Sequence, residues 1–339
     1  MTKDIFLITG GSGFIGSYLA NYLIYLNLGK VYILDKNLPP SYLSPSINFI
    51  KMNILDHKKL SSFINKIRPT FIYHLAARTD LDGNQLDEYK SNTTGTENII
   101  KSSNKCNSIK RIIFASSMLV CKVGYQPENY EDYCPPNSYG ESKVISEKII
   151  KEKSINFIWC IVRPTSIWGP GFKEPYSQFF NYVLKRKYFH IGDKIVFKTY
   201  GYVGNIAHQL ISLIQVECSQ INKKTFYLGD SSKYSIREWS NEICRFSSGG
   251  KIIVLPYFIA YLISKLGDLL KKFKIKFPLT TFRLKNMTTD NVININPILE
   301  ISGKIPFDRK KATKLTLDWL INEETKYQSY REFKKLFKN

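Results

Sequence analysis

The sequence predicts an α/β fold in which a doubly wound parallel sheet is followed by a smaller C-terminal α+β lobe. Strand-length apolar runs alternate with helix-length amphipathic segments through the first half, which is typical of right-handed βαβ units. The strand runs are continuously apolar, as expected for a sheet buried on both faces. After Arg163-Pro164 the pattern changes to turn-rich loops and short elements. We therefore expect residues 1–165 to form the first domain, with a later strand and helix returning to it, and residues 166–339 to form mainly the second lobe.

Each element is expected where a run of suitable length and period lies between turn residues. The strands are expected at Ile5–Thr9, Val31–Leu34, Ile47–Met52, Phe71–Leu75, Ile112–Ala115 and Phe157–Val162. The helices of the first half are expected near Phe14–Leu28, His57–Ile67, Asp87–Asn104 and Tyr139–Lys153. Those of the second half are expected at Ser177–Lys187, Asn205–Glu217, Ile236–Phe246 and Val254–Leu270.

Composition excludes several classes of function. The net charge of +21 comes from lysines spread along the whole chain, so it does not indicate a nucleic-acid partner. Six cysteines occur singly and four histidines lack ligand spacing, which favours reduced thiols and no metal site. No opening stretch has the pattern of a signal peptide, and the first apolar run is strand-length, so a cytoplasmic location is expected.

A glycine-rich turn joins the first expected strand to the first expected helix. Gly10, Gly13 and Gly16 permit a tight turn, close approach of the backbone to a pyrophosphate, and close packing of the helix on the sheet. Phe14 and Ile15 open the helix, whose free N–H groups and positive dipole end bind phosphate. The turn predicts a Rossmann-type domain that binds a dinucleotide.

An acidic residue ends the second expected strand. Asp35 has the spacing of a carboxylate that accepts hydrogen bonds from the adenosine ribose and repels a 2′-phosphate, which favours NAD(H) over NADP(H). Lys36 weakens this argument, because a cation tolerates the extra phosphate. Asp56 follows the third expected strand, where it fits either an adenine contact or a helix cap.

Tyr139 and Lys143 are four residues apart, which on a helix places a phenol and an ammonium group on one face. A phenol with a pKa of about 10 is a weak base at neutral pH, and a nearby ammonium group stabilises the phenolate. Tyr139 is then a candidate general acid or base, and Lys143 a candidate ligand of the nicotinamide ribose. Ser117, just after the expected strand Ile112–Ala115, could hydrogen-bond the same substrate oxygen.

Taken together, the motifs resemble the extended short-chain dehydrogenase/reductases, in the branch of sugar-nucleotide epimerases, dehydratases and reductases. They occur in family order over the first half of the chain, at Thr9–Gly16, His74–Ala77, Asn92–Thr96, Ser116–Ser117, Tyr139–Lys143 and Arg163–Pro170. The resemblance implies an NAD-dependent enzyme with Tyr139 as acid/base, Lys143 on the ribose and Ser117 on the substrate oxygen. It also implies a homodimer, and a dinucleotide lined by Leu75, Ala76 and Ala77.

Two departures from the family pattern bear on the reaction. The dehydratases of this branch carry Asp-Glu after the catalytic Ser/Thr, whereas Met118-Leu119 stand here, so dehydration is disfavoured. Ser166 stands where the family usually has a substrate-binding Asn. A 4-ketoreductase or a 4-epimerase of a nucleotide-activated sugar, for surface polysaccharide synthesis, remains. Further candidates for substrate contact are Arg78, beyond the Ala-Ala motif, and Lys173 and Tyr176, in the expected substrate loop.

Three other interpretations remain open. The apolar stretch Val254–Leu270 followed by the basic run Lys271–Lys276 indicates either a lid helix or a peripheral membrane contact, as for a sugar on a lipid diphosphate. The same scaffold could instead oxidise a hydroxysteroid-type alcohol. A non-catalytic NAD(H)-binding regulator is the third interpretation, and an intact Tyr139, Lys143 and Ser117 set argues against it.

Overall fold

The protein was analysed as a computed structural model that describes residues 4–174, 176–231, 233–247, 249–273, 275, 277–323 and 325–338. For Tyr176, Ser247, Lys271 and Lys272 the description covers the backbone.

The described residues form short and regular elements in alternation. In chain order the strands are β1 (Ile5–Thr9), β2 (Lys30–Asp35), β3 (Asn48–Lys51), β4 (Phe71–His74), β5 (Arg111–Ala115), β6 (Ile158–Pro164), β7 (Ser166–Trp168), β8 (His190–Ile191), β9 (Phe197–Lys198), β10 (Tyr200–Tyr202), β11 (Lys224–Leu228), β12 (Tyr234–Ser235) and β13 (Val254–Leu255). The helices are α1 (Phe14–Tyr25), α2 (His57–Ile67), α3 (Thr94–Ser103), α4 (Ser138–Glu152), α5 (Tyr176–Leu184), α6 (Val203–Gln215), α7 (Cys218–Ile221), α8 (Ile236–Ser247), α9 (Tyr257–Lys272), α10 (Thr281–Thr288), α11 (Asn296–Ser302), α12 (Arg309–Asn322) and α13 (Tyr330–Phe333).

Seven strands form one parallel sheet in the order β11-β6-β5-β4-β1-β2-β3. The chain runs outward from β1 through β2 to β3, and then crosses to β4 on the other side of β1. Ligands of open α/β sheets bind at the carboxyl ends of the strands where the order reverses. The predicted α/β class is therefore confirmed, and the topology directs attention to the loops after β1 and β4.

Alternating side chains of the sheet enter two separate cores. Phe6 and Ile8 face one side, where α1 and α6 pack, while Leu7 faces the other side with α2, α3 and α4. Both faces are covered, which is why the strands read as continuous apolar runs.

One predicted helix is broken. The expected helix over residues 87–104 is a 3₁₀ turn at Leu86–Tyr89 and then α3, which starts at Thr94. Between them the Asn92 amide accepts from Arg78 N at 2.8 Å and donates to Ser142 Oγ at 2.9 Å. These bonds fix the segment against neighbouring loops, so a continuous helix does not form.

The second lobe consists of two-stranded pairs (β7 with β10, β8 with β13, β9 with β12) and helices around an aromatic core. Trp168 and Trp239 lie at its centre, with ring centroids 4.9 Å apart. The chain also returns to the first domain, because β11 pairs with β6 and α6 packs on the sheet beside α1.

Helix α1 is covered on its outer side by the segment that follows α12. Phe337, in the 3₁₀ turn Lys334–Phe337, lies against Tyr18 and Tyr22 with ring centroids at 5.1 and 5.2 Å. Phe333 stacks on Tyr42 at 4.3 Å. Every α1 residue from Gly16 to Leu23 is consequently buried.

Across the described part of the chain, the helices are all too short or too polar to span a bilayer.

Candidate active site

The glycine turn after β1 is packed too closely for side chains at two positions. Gly10 has a φ of +72°, and a Cβ there would lie 2.7 Å from the backbone of Ala76. A Cβ on Gly16 would lie 2.4 Å from the Gly10 carbonyl oxygen. The turn therefore rests directly on the Leu75–Ala77 segment, and α1 begins immediately above it.

The amino end of α1 fits a pyrophosphate. Gly13 is the residue before the helix, and among the described residues no side chain caps it and no acidic residue lies in its first turn. The first N–H groups of a helix need acceptors, and together with the helix dipole they favour an anion. Phe14 and Ile15 supply these N–H groups, next to the side-chain-free face of Gly13.

Asp35 lies at the end of β2, beside the glycine turn. Its carboxylate accepts hydrogen bonds from Ser12 N at 3.1 Å and from Asn37 N at 2.9 Å. These bonds orient the carboxylate while leaving lone pairs for two ribose hydroxyls. Asp56, in contrast, accepts from Lys59 N at 3.1 Å at the start of α2, which is the helix-cap arrangement weighed for it above.

A buried histidine connects the cofactor strands to α3. His74 Nδ1 lies 2.8 Å from Thr9 Oγ1, and its Nε2 lies 3.2 Å from Thr96 Oγ1. Burial, and secondarily the charge of Lys143, lower the pKa of His74 to about 3. The imidazole is therefore neutral at physiological pH, and it holds β1, β4 and α3 in register beneath the Ala76-Ala77 segment.

Lys143 reaches the carboxyl end of β5, near Ser117, and Tyr139 lies one turn before Lys143 on α4. The Lys143 ammonium group donates to the Ala115 carbonyl at 2.9 Å, two residues before Ser117. Gly140 lets α4 approach, because a Cβ there would lie 2.3 Å from the Leu119 carbonyl oxygen. All three side chains are buried to more than nine-tenths.

The hydroxyl of Ser117 is oriented by the turn that follows it. Its Oγ accepts from Leu119 N at 3.1 Å, so the O–H hydrogen can be donated to another oxygen. Burial lowers the pKa of Lys143 to about 8, against the opposing charge of Glu147. At neutral pH the site thus contains a buried ammonium group, a phenol and a directed hydroxyl, which is the equipment for proton exchange with a substrate oxygen.

A buried ion pair one turn beyond Lys143 was not expected from the sequence. Arg163 on β6 donates to both carboxylate oxygens of Glu147 at 2.8 Å, and both side chains are fully buried. Arg163 also donates to Tyr227 Oη at 2.9 Å, and Tyr133 Oη donates to Glu147 at 3.0 Å. Burial opposes the charge of Arg163, but the bonds to Glu147 raise its pKa above the usual value. No local sequence pattern indicates this pair, because Glu147 and Arg163 are 16 residues apart and lie on different elements.

Arg78, an expected substrate contact, is engaged by two carboxylates. It contacts Asp80 and Glu88, each at 2.9 Å, and its guanidinium carbon lies 5.0 Å from the ring centroid of Tyr89. Tyr89 is fully buried and its ring lies 6.1 Å from that of Tyr139. In this arrangement Arg78 supports the wall behind Tyr139, and a substrate anion would have to compete with two carboxylates.

The other expected substrate residues follow β6 in the sequence, well after Ser117, Tyr139 and Lys143. Ser166 is buried in β7, and Lys173 is exposed in the loop that follows it. Tyr176 begins α5, and its side chain lies outside the described part of the chain.

A cavity of about 250 Å³ begins at Met118, next to Ser117. Its walls come from residues between 118 and 130 after β5, from Tyr227 on β11 and from residues 291–294 after α10. The two segments are joined by hydrogen bonds, since Asn291 Oδ1 accepts from Gly124 N at 3.1 Å. Much of the lining can hydrogen-bond without carrying charge, as in Tyr125, Gln126, Asn129, Asn291 and Asn294.

Within the described residues no cluster of three or more His, Cys, Asp or Glu side chains could hold a metal ion. The six cysteines are free thiols.

Two solved structures with this fold are epimerases of nucleotide sugars. The UDP-glucose 4-epimerase of Thermotoga maritima, solved with UDP-glucose, is 19% identical, with a TM-score of 0.73 over 94% of this chain and 99% of that one. The UDP-glucuronic acid 4-epimerase of Bacillus cereus, solved with its substrate and NAD, is 16% identical with a TM-score of 0.72 over the same shares.

Relatives found by sequence act on a different chemical class. The sterol-4-alpha-carboxylate 3-dehydrogenase, decarboxylating, of Saccharomyces cerevisiae is 26% identical over 94% of this chain and 98% of its own length. The 3 beta-hydroxysteroid dehydrogenase/Delta 5→4-isomerase of vaccinia virus (strain Copenhagen) is 25% identical over 94% and 99%.

Residues 6–214 match the family described as the NAD dependent epimerase/dehydratase family, a span that contains the glycine turn, Ser117, Tyr139 and Lys143. The predicted family and its NAD cofactor are thereby confirmed. The chain is an NAD-dependent enzyme of the oxidoreductase and isomerase type, and it belongs to the NAD-dependent epimerase/dehydratase family.

Proposed function

We propose that this protein acts at C4 of a nucleotide-activated sugar, as a 4-epimerase or a 4-ketoreductase, in surface polysaccharide synthesis. The observation that carries the proposal is the placement of Lys143 and Ser117 at the carboxyl end of β5 with Tyr139 one turn away on α4. A cavity whose lining begins at the next residue, Met118, carries many neutral hydrogen-bonding side chains. Amide and phenol groups match the hydroxyls of a sugar, and Met118-Leu119 provide no acid/base pair for the elimination of water.

Each residue of the group has a distinct task. Tyr139 takes the hydroxyl proton of the substrate during oxidation and returns a proton to the carbonyl oxygen during reduction. Ser117 donates a hydrogen bond to the same oxygen, and the Lys143 charge stabilises the phenolate form of Tyr139. NAD, when bound, accepts or supplies the hydride at the carbon that carries this oxygen. Epimerisation additionally requires the keto sugar to rotate within the cleft, so that the hydride returns to its opposite face.

The cofactor residues follow from the geometry of the switch point. We propose that the N–H groups of Phe14 and Ile15 bind the pyrophosphate and that Asp35 binds the adenosine ribose. The support is the uncapped end of α1 and the orientation of Asp35 by two backbone N–H groups.

The test uses purified protein with UDP-, GDP- and dTDP-sugars, with and without added NADH, and the products are separated and identified. A C4 epimer without added cofactor indicates an epimerase, and turnover of a 4-keto sugar that requires NADH indicates a reductase. Tyr139→Phe serves as the catalytic control. If no sugar reacts under either condition, the proposed substrate class is wrong.

A second candidate is a hydroxysteroid-type alcohol, oxidised by the same three residues. It is favoured by the apolar part of the cleft, which includes Met118, Val292 and Ile293. Two of the full-length relatives described above also carry sterol or hydroxysteroid names. Reduction of added NAD by a 3β-hydroxysteroid, together with no reaction of any sugar, would establish this alternative.

A further inference from the structure

Helix α9 presents an apolar face outward. Phe258, Leu262 and Leu269 on α9, and Phe273 just after its end, follow helical spacing along one side, with exposed fractions of 68%, 51%, 50% and 70%. Side chains of this kind are normally buried, and a contiguous exposed group of them marks an interaction surface.

The opposite face of α9 is firmly attached to the lobe. It consists of small residues, Ala260, Ser264 and Gly267, all buried. A Cβ on Gly267 would lie 2.0 Å from the Leu279 carbonyl oxygen, so the helix and the segment before α10 are in direct backbone contact. Asp268 accepts from the Thr281 backbone N at 3.2 Å and from its hydroxyl. The exposed face is thus part of a fixed platform.

The sequence of the segment that contains this platform is strongly basic. Residues 251–285 contain eight lysines and arginines and one acidic residue, a net charge of +7 in about a tenth of the chain. Lys265 flanks the apolar face on α9, and Arg283 and Lys285 are exposed on the adjoining α10, beside Phe282. An apolar face bordered by cations suits the acyl and phosphate layers of an anionic membrane.

We propose that the outer face of α9 and the adjoining basic residues form a docking surface for an anionic lipid bilayer. This inference does not depend on the substrate proposed above. A second copy of the chain fits the face poorly, because a two-fold contact would place one +7 region against another.

The docking surface is close in sequence to the cleft. Helix α10, which packs against α9 through Leu284, ends at Thr288, and the chain reaches Asn291 in the cleft wall three residues later. A protein held at α9 therefore has one wall of its cleft close to the lipid surface.

The first experiment is sedimentation of the full chain with vesicles of phosphatidylcholine alone and of phosphatidylcholine with phosphatidylglycerol, at physiological salt. We expect at least tenfold tighter binding to the anionic vesicles. The double variant Phe258→Ser, Leu262→Ser should lose at least tenfold of that binding. Ile321→Ser, which alters an exposed apolar residue on α12, should bind as the wild type does. Retained NADH binding in both variants checks that they are folded.

Several outcomes would overturn the inference. One is the absence of binding to anionic vesicles at physiological salt, and another is equal binding of the double variant and the wild type. A dimer in light scattering that the double variant abolishes, with no vesicle binding, would show that a second copy covers the face. Vesicle binding is measured without substrate, so failure of the sugar assay leaves this test unaffected.

Discussion

At the scale of single residues, the site depends on an ammonium group that is almost completely removed from water. Lys143 is buried, and its ammonium group donates a hydrogen bond to the neutral Ala115 carbonyl oxygen. The nearest compensating charge is Glu147, which is itself paired with Arg163. In the proposed mechanism this buried positive charge stabilises the phenolate of Tyr139, so the same feature opposes stability and supports catalysis.

Replacing Tyr139 by Phe removes the proton-exchanging hydroxyl and leaves the ring that packs near Tyr89. We expect kcat to fall at least about 100-fold, in keeping with the contribution of general acid–base groups, while NADH affinity is unchanged. Steady-state kinetics and fluorescence titration measure the two quantities. A variant that retains wild-type kcat would remove Tyr139 from the mechanism.

The buried charge of Lys143 predicts a dependence of stability on pH. Its pKa is about 8 when folded, against 10.5 when unfolded, so the penalty for the charged form is complete below pH 8 and disappears as the pH rises toward 10.5. Lys143→Met lacks this penalty. Between pH 7 and pH 10.5 the free energy of unfolding of the wild type should therefore rise by about 3 kcal/mol relative to the variant. Urea denaturation of the cofactor-free proteins measures it, and a constant difference would contradict the prediction.

The Asp35 carboxylate predicts a choice between cofactors. Asp35→Asn removes the negative charge that repels a 2′-phosphate, so the ratio of NADH to NADPH affinity should fall at least about tenfold. Asp56→Asn is the matched control, since Asn also caps a helix and Asp56 lies at the start of α2. An equal ratio of NADH to NADPH affinity in the Asp35 variant and the wild type would show that Asp35 does not determine the choice of cofactor.

At the scale of elements, α4 bears Tyr139, Lys143 and Glu147 at successive i, i+4 positions. In the proposed mechanism the first two act on the substrate oxygen, and the third attaches the helix to β6 through Arg163. Because the attachment is one turn from Lys143, it positions α4 relative to β5 and Ser117.

The Glu147–Arg163 ion pair predicts that a conservative substitution of Glu147 causes a large loss of unfolding free energy. Glu147→Gln leaves Arg163 as a buried charge without its partner, and breaking such pairs costs about 3–5 kcal/mol of unfolding free energy. Glu131→Gln is the same change in an exposed pair with Lys151, and we expect at most about 1 kcal/mol there. Chemical denaturation of the two variants side by side provides the comparison, and equal losses would refute the structural role of the pair.

Elements were predictable where local pattern and tertiary structure agree. β1, β4 and α2 begin and end within a residue of their expected bounds, because buried apolar runs and flanking turn residues carry the signal. The break between Leu86–Tyr89 and α3 could not be predicted. It is caused by the Asn92 side chain bonding to Arg78 and Ser142, which are distant in sequence.

At the scale of the whole molecule, the candidate site also has one part that could be predicted from the sequence and one part that could not. The glycine turn and the Tyr139–Lys143 pair each lie within a short segment, so residue spacing alone predicts them. The cleft is formed by residues between 118 and 130, by Tyr227 and by residues 291–294, and the ion pair by Glu147 and Arg163. No local pattern brings such segments together, and they are found only once the chain is folded.

The packing of Phe337 on α1 predicts strong coupling between the end of the described chain and the cofactor domain. Phe337→Ala should lower the free energy of unfolding by about 3–5 kcal/mol, as for other buried aromatic residues. Phe282→Ala, at a ring that is 58% exposed, should change it by at most about 0.5 kcal/mol. Thermal and urea denaturation measure both, and a small effect at Phe337 would show that the segment is dispensable.

This packing also has a consequence for biosynthesis. Helix α1 leaves the ribosome together with the phosphate-binding turn, well before the aromatic residues Phe333 and Phe337 that cover it. Until they arrive, Tyr18 and Tyr22 lack their outer partners, and the nucleotide-binding half cannot reach its final packing. We therefore expect the nascent chain to acquire NAD only after the segment that contains Phe333 and Phe337 has left the ribosome, so that cofactor loading reports that this segment has docked on α1.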